Sequence, residues 1–286
     1  MGLIDLHIHT TASDGQLSPA EIVATAIDHG LKVIAITDHD TVDGISPALV
    51  AARETSGLEV IPGIEISTDT SAGDIHILGY YIDYLDVELL SVLKRLKASR
   101  ETRAIGIIAK LADMGMHVSM ERVKELSAGG SIGRPHIAQV MLENKHVSNF
   151  REAFDKYIGH NGPAYVHREK ITPVEAVQLL THSGALPVLA HPVNIENLDT
   201  ILKQLKDAGL VGIETYYGCY TEEVIKYLTG LAKHYGLIPT GGSDYHGINA
   251  VDIGVDMGST NVPPESVERL AALSSKRIIE TAFPQE

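Results

Sequence analysis

Leu31-Lys32-Val33-Ile34-Ala35-Ile36-Thr37-Asp38-His39-Asp40 is apolar for most of its length and then turns abruptly polar. A run of this kind suits a strand buried on both faces, the habit of parallel sheets covered by helices. Its polar end falls where a parallel barrel presents its reactive face. Similar pieces recur along the chain: Asp5-Leu6-His7-Ile8-His9-Thr10, Gly63-Ile64-Glu65, Ile75-His76-Ile77-Leu78-Gly79, Ala190-His191-Pro192 and Gly242-Ser243-Asp244-Tyr245-His246-Gly247.

Outward from that stretch the chain alternates strands and helices. Residues 3–9 read as a first strand, and Ser18-Pro19-Ala20-Glu21 is a capping box with proline at the first helical position. Gly30 ends that helix. Ser46-Pro47 predicts the cap of a second helix running to Gly57, and strands are expected at 58–67 and 75–82. The rhythm breaks at Asp83. From there to Ala164 the pattern is helical and charged, with Leu89, Leu93, Leu96, Ile105, Ile108 and Leu111 at three- and four-residue spacing. It resumes at Thr172-Pro173-Val174-Glu175, a second capping box. Strands follow at 185–190, 210–216 and 237–240, with helices near 197–208 and 222–235 and a closing helix over 261–272. Seven strands separated by helices favour an α/β parallel barrel. Its expected parts are a barrel of residues 1–82 and 165–286 and a helical insertion of residues 83–164.

A chain of 286 residues, 44% hydrophobic, suffices for one such barrel with an insertion. No apolar run approaches the roughly 20 residues that span a bilayer, so no membrane partner is expected. The first residues lack a basic leader, and the single Cys219 excludes an internal disulfide; both fit the cytoplasm. Cys219 is expected to be a small buried or half-buried side chain. The net charge of −14 argues against a grip on extended duplex nucleic acid. It leaves room for a small phosphorylated ligand, because bound cations make an acidic site locally positive.

Imidazole and carboxylate without thiolate suit Mn²⁺, Zn²⁺ or Fe. His7 and His9, two apart, leave their strand on one face. Asp38 and His39, Glu65, His191, and Asp244 with His246 close four further strands, and Asp14 follows the first. His76 stands near the start of its strand, so either that boundary lies elsewhere or the strand runs the other way. His29, His117, His146, His160, His167, His182 and His234 lie on helices or loops and suit surface or packing roles.

On these residues the chain resembles the PHP (polymerase and histidinol phosphatase) family of the amidohydrolase superfamily, nearly end to end. Gly133-Arg134-Pro135-His136 and Gly162-Pro163-Ala164-Tyr165-Val166 resemble the branch acting on nucleoside 3′,5′-bisphosphates and on the 5′ ends of short RNA. The resemblance implies a distorted (β/α)₇ barrel with two or three divalent ions, Mn²⁺ first, with Zn²⁺ or Fe²⁺ as alternatives. It implies one ion at His7, His9, Glu65 and Asp244, a second at Glu65, His76 and His191, and a third at Asp14, His39 and His246. Some members have a histidine where Asp14 stands.

The nucleophile expected of such a site is a metal-bound hydroxide, here held by Glu65, Asp244 and His191. No G-x-S-x-G element competes for that role. The insertion is expected to cap the substrate site. Arg134 beside a helix N-terminus suits a second phosphate, with His136 in the first turn and Arg103 as a further candidate. Arg103 and Arg100 also read as solvated helix face. Asp38 is expected to orient His39, Asp40 to serve a loop or cap, Glu214 to support the site, and Tyr216 to stack on a base or pack the rim. The partner expected is a small phosphorylated nucleotide or short RNA, with no obligate protein partner. The alternatives are a histidinol-phosphate or sugar-phosphate phosphatase and, from another class, a non-catalytic metal-binding module.

Overall fold

The computed structural model describes residues 3–70, 73–247 and 255–282. Seven strands form one sheet in sequence order: β1 (Ile4–Ile8), β2 (Val33–Ile36), β3 (Glu59–Thr70), β4 (Gly73–Tyr80), β5 (Leu186–Leu189), β6 (Gly212–Tyr217) and β7 (Ile238–Gly242). The ends meet where Ile8 bridges Tyr245 and His9 N–H donates to the Tyr245 carbonyl at 2.9 Å. The sheet is thus a nearly closed barrel. Gly242 lets the two edges approach, since a Cβ there would lie 2.4 Å from the His7 backbone nitrogen.

Every paired neighbour is parallel except β4, which runs antiparallel to both β3 and β5. Two residues separate β3 from β4, and a link that short permits only a hairpin, whereas a parallel return needs a dozen residues or more. This settles His76: at the beginning of an antiparallel strand it stands at the face where the other strands end. It pairs with Ser67, two places beyond Glu65.

Inward positions change character along each strand. Ile4, Leu6, Ala35, Ile61, Leu78, Tyr80, Leu186 and Val188 form the apolar filling of the barrel, closed by Leu270 of α10 (Pro264–Ala282). Ile34, Ile36, Ile64, Ile66 and Ile77 face the surrounding helices α1 (Pro19–Asp28), α2 (Ile45–Arg53), α7 (Pro173–His182), α8 (Leu198–Ala208) and α9 (Glu222–Tyr235). In β1 the pairing register shifts between Asp5 and Ile8. Leu6 therefore packs inside and Ile8 outside, and His7 and His9 are turned inward. Bulges that re-aim a side chain beside a site do this elsewhere too.

Both capping boxes form, with Ser18 and Thr172 each paired reciprocally to the glutamate three residues on. Ser46 does not cap: α2 starts at Ile45 behind Gly44, with no side-chain cap.

The segment between β4 and α7 carries α3 (Val87–Asp113), α4 (Met120–Leu126), α5 (Arg134–Glu143), α6 (Phe150–Ala153) and a π turn (Phe154–Ile158). Its first half of α3 packs Leu89, Leu93 and Leu96 into the barrel's outer core. The second half gives Ala104, Ile107 and Leu111 to a separate core with Val123, Ile137, Val140, Met141 and Ala153. Ile107, rather than Ile105 (56% exposed), continues the buried stripe. Gly130 and Ser131 bind this segment to the loop after β1, where Ser131 N–H donates to Ala12 O at 2.8 Å.

Candidate metal centre

Glu65, fully buried near the middle of β3, is the hub of the carboxyl-end face. Its Oε2 lies 3.3 Å from His7 Nε2, 3.3 Å from His9 Nε2 and 3.0 Å from His39 Nδ1. Its Oε1 lies 2.8 Å from His76 Nδ1 and 3.1 Å from His191 Nε2. Asp244 Oδ1 completes one corner at 3.3 Å from His7 Nε2 and 3.0 Å from His9 Nε2. On the far side Asp14 meets His246 at 3.5 Å, His9 at 3.9 Å and His39 at 4.0 Å. Strands β1, β3 and β4 and the loops after β1, β2, β5 and β7 thus bring nine side chains to one place.

These groups are aimed by partners behind them. His7 Nδ1 donates to Glu214 Oε1 at 3.1 Å, which leaves the Nε2 lone pair facing inward. Glu214 Oε2 also accepts the His191 N–H at 2.7 Å, fixing a residue held at φ 24. His246 Nδ1 donates to the Asp244 carbonyl at 2.8 Å, which turns its Nε2 toward Asp14. Tyr217 O–H donates to Asp244 Oδ2 at 2.8 Å, leaving Oδ1 for the cage. Asp40, His191 and Asp244 all take positive φ, and such strain gathers at functional sites.

The donor set fits cations on an observation of its own. His7 Nε2, His9 Nε2, Asp14 Oδ1, Glu65 Oε2 and Asp244 Oδ1 are buried and have no hydrogen-bond partner among the described residues. Leaving such atoms unsatisfied costs about 1–3 kcal/mol each. Lone pairs converging without donors are what a divalent ion satisfies. Burial opposes ionisation of Glu65 and Asp244, yet the imidazoles around them hold both carboxyls well below their ordinary range.

Among the described residues three groups bring ligand atoms within 4.8 Å of one another: His7, His9, Glu65 and Asp244; His9, Asp14, His39 and His246; and His39, Glu65 and His76. The first has the composition expected. The second adds His9, and the third contains His39 where His191 was expected, although His191 also touches Glu65.

Other expectations are corrected by the geometry. Asp38 does not orient His39; it organises the β1 loop, accepting from Thr10 N–H at 2.7 Å, Thr10 Oγ1 at 2.8 Å and Ser13 Oγ at 2.6 Å. Ser67, 3.4 Å from Nδ1, stands beside His39 instead. Asp40 is no loop cap: fully buried, it accepts from Arg100 Nε at 2.7 Å, Arg168 Nη2 at 2.9 Å and Ser67 N–H at 2.9 Å. Arg100 and Arg103, each 8% exposed, are not solvated helix face. They continue the buried stripe of α3 at its crossing from barrel to insertion. Tyr216 packs on the barrel filling, and Tyr217 takes the place beside the site. Cys219 is exposed at the surface, and partial desolvation together with the nearby Asp244 raises its thiol pKa.

Between the cage and the insertion lies a cavity of about 130 Å³. Asp14, His39 and His76 line one side; Arg100, Arg103, Arg134, Arg168 and Lys170 line the other, with Phe154 and Pro135. Arg103 donates to Val166 O at 3.0 Å and lies 5.4 Å from the centre of the Tyr165 ring. Burial and the neighbouring Arg134 and Arg168 lower its pKa, the mark of a positive field. Arg134 sits at the start of α5, as expected. His136 does not line the cavity: it is buried behind it, with Nδ1 accepting the Gly133 N–H at 3.0 Å. Sequence reasoning missed Arg168 and Lys170.

A barrel with a caged His/carboxylate cluster beside a cationic cavity defines a metal-dependent phosphoesterase. The chain belongs to the PHP domain family, whose model matches residues 5–166. It is 36% identical over 246 residues to a 5′-3′ exoribonuclease of Haemophilus influenzae, covering 85% of this chain and 89% of that one. It is 30% identical over 270 residues to a 3′,5′-nucleoside bisphosphate phosphatase of Chromobacterium violaceum, covering 92% and 94%. The fold matches a solved amidohydrolase structure from C. violaceum with bound sulfate at a TM-score of 0.87 and 28% identity, covering 95% of this chain and 97% of that one. Among the described residues no helix is long and apolar enough to cross a membrane.

Proposed function

We propose that the protein hydrolyses phosphate esters of small nucleotides, namely nucleoside 3′,5′-bisphosphates and the 5′ ends of short oligoribonucleotides. The observation that carries this reading is the cavity: a wall of five cations faces the cage across a space of about 130 Å³. A substrate with one phosphate at the cage and another on the wall fits both. A simple sugar phosphate would leave the wall unused.

In this reading His7, His9, Glu65 and Asp244 hold one ion, Glu65, His76 and His191 a second, and Asp14, His39 and His246 a third, with Mn²⁺ the first choice and Zn²⁺ or Fe²⁺ as alternatives. Divalent ions supply Lewis acidity and a nucleophile at neutral pH. The chain's own part is orientation. Glu214 sets the ring of His7, Tyr217 fixes Asp244, and Glu65 draws five imidazoles together. Residues 83–164 serve as the substrate-binding cap, from which Arg134 and Arg103 receive the second phosphate through charge-assisted hydrogen bonds.

The test is release of inorganic phosphate from adenosine 3′,5′-bisphosphate by Mn²⁺-loaded protein, abolished by chelation and restored by metal. No turnover of any mono-, bis- or oligonucleotide under those conditions would sink the proposal.

A further inference from the structure

Asp74 begins β4 and stands in the cavity wall with a cation on either side. Its Oδ2 accepts from Arg134 Nη2 at 3.2 Å and its Oδ1 from Lys170 Nζ at 2.5 Å. A carboxylate thus occupies the position between two cations that a phosphate would seek.

The rest of the wall is short of anions. Arg100 and Arg168 share the single carboxylate of Asp40, and Arg103 forms no salt bridge among the described residues. Arg168 is the most telling. Its side chain is 1% exposed, one edge is held by Asp40, and its Nε and Nη1 are buried without a partner among the described residues. Two orphaned guanidinium donors in a cavity lining call for an acceptor that enters from outside.

We propose that Arg168 and Lys170 complete an anion site with Arg134 for a phosphate monoester, and that Asp74 is its resident competitor, a carboxylate the incoming phosphate must displace. The inference rests on the reading that the cavity receives a second phosphate. The exchange is physically reasonable. A phosphate monoester carries about −1.5 to −2 at pH 7 and offers three acceptor oxygens, against one charge and two oxygens for a carboxylate. It therefore takes Arg134 and Lys170 from Asp74 and satisfies Arg168 as well. In the empty site Asp74 keeps the cations ordered, and after reaction it returns to them, which keeps affinity moderate and speeds release of a product that retains the phosphate.

The test exploits opposite signs at the two ends of one ion pair. Adenosine 5′-monophosphate, which has no 3′-phosphate to lose, is titrated calorimetrically into the intact Mn²⁺-loaded protein and its variants. Asp74→Asn and Asp74→Ala are each expected to bind it about fivefold tighter or more, and Lys170→Ala about tenfold more weakly. Arg168→Lys, which keeps one bond to Asp40, is also expected to bind it more weakly. With adenosine 3′,5′-bisphosphate as substrate, the Asp74 variants should lower KM, and kcat should fall if product release is slowed. If Asp74 merely positions its neighbours, its variants will weaken binding alongside Lys170→Ala, and the competitor role is overturned. If wild type and variants all fail to bind the mononucleotide, the second-phosphate reading falls and takes this inference with it. Binding that is unchanged in the Asp74 variants overturns this inference alone.

Discussion

The cage and the wall face each other across one cavity and are built in opposite ways. The cage is set on strand ends, is rich in lone pairs, and has buried acceptors without donors, so it asks for cations. The wall is set on a helix, a helix start and an irregular return segment; in Arg168 it has buried donors without acceptors, so it asks for an anion. A protein with a net charge of −14 thus gathers five cationic side chains along one wall of this cavity. The contrast teaches that the two halves should fail differently. Damage to the cage should remove turnover of every substrate, whereas damage to the wall should be felt only by substrates with a second phosphate.

The hardest blow to the cage is Glu65→Gln. Losing one partner behind a metal ligand typically costs 10–100-fold in metal affinity or activity, and Glu65 itself touches five imidazoles. A fall in kcat/KM of about 10³-fold or more is expected for nucleotides and for p-nitrophenyl phosphate alike, together with reduced metal content by elemental analysis. Full metal content with full activity would remove Glu65 from the centre.

Asp40→Asn strikes the seam between the halves, because Asp40 follows His39 in sequence and holds Arg100 and Arg168 of the wall. Removing one partner from a buried ion pair destabilises by about 3–5 kcal/mol, and denaturant unfolding should read a loss of that order. The sign with pH is fixed by its depressed carboxyl: burial opposes the charge, but Arg100 and Arg168 lower the folded-state pKa below the unfolded one. Its contribution is thus complete above the unfolded pKa near ~3.9 and is withdrawn as pH falls below it. The gap between wild type and Asp40→Asn should stay constant from neutral pH down to about 5 and shrink only in stronger acid.

The cage was largely legible in the sequence, and the wall largely was not, for physical reasons. A buried parallel strand advertises itself by its apolar run, so a histidine or carboxylate at its end is visible at once. His76 carried a weaker signal, standing at the start of its strand where the other ligands stand at ends; the short hairpin itself was hidden, because the strands that read as 58–67 and 75–82 extend to Thr70 and begin at Gly73. The rank of Arg100 and Arg103 on α3 is also written in the sequence, since 96, 100, 103 and 107 continue the stripe of Leu89 and Leu93, but a charge at a core position reads as solvent exposure. Arg168, Lys170 and Tyr217 gave no such sign. Arg168 finds Asp40 across 128 residues of sequence, and Tyr217 points at Asp244 only because the register of β6 shifts between Glu214 and Tyr216. No local period encodes either meeting.

A gentler change sharpens the comparison on the cage side. Glu214→Gln keeps the shape but removes the charge that fixes the His7 ring and the His191 backbone. Metal affinity, read by competition with a chelator, should fall about 10–100-fold. Turnover should recover at saturating Mn²⁺, because the ligands themselves remain. A loss that excess metal does not restore would mean that Glu214 acts beyond orientation.

The smallest overall effect should come from the wall, and it should be selective. Arg134→Ala removes a donor from the cavity and leaves every cage ligand in place. A charge-assisted hydrogen bond of about 1.5–3 kcal/mol corresponds to roughly 10–150-fold, so kcat/KM for adenosine 3′,5′-bisphosphate should fall by at least about tenfold. For p-nitrophenyl phosphate, which has nothing to place on the wall, the same variant should change kcat/KM by less than about threefold. Raising the salt concentration should weaken wild type and variant unequally, with the steeper loss in wild type, because it has one more exposed-edge cation facing the ligand. Equal losses on both substrates would mean that Arg134 supports the cage through the packing of α5 against the β1 loop. The division of labour between acceptor-rich strand ends and a donor-rich insertion would then have to be redrawn with α5 on the side of the cage.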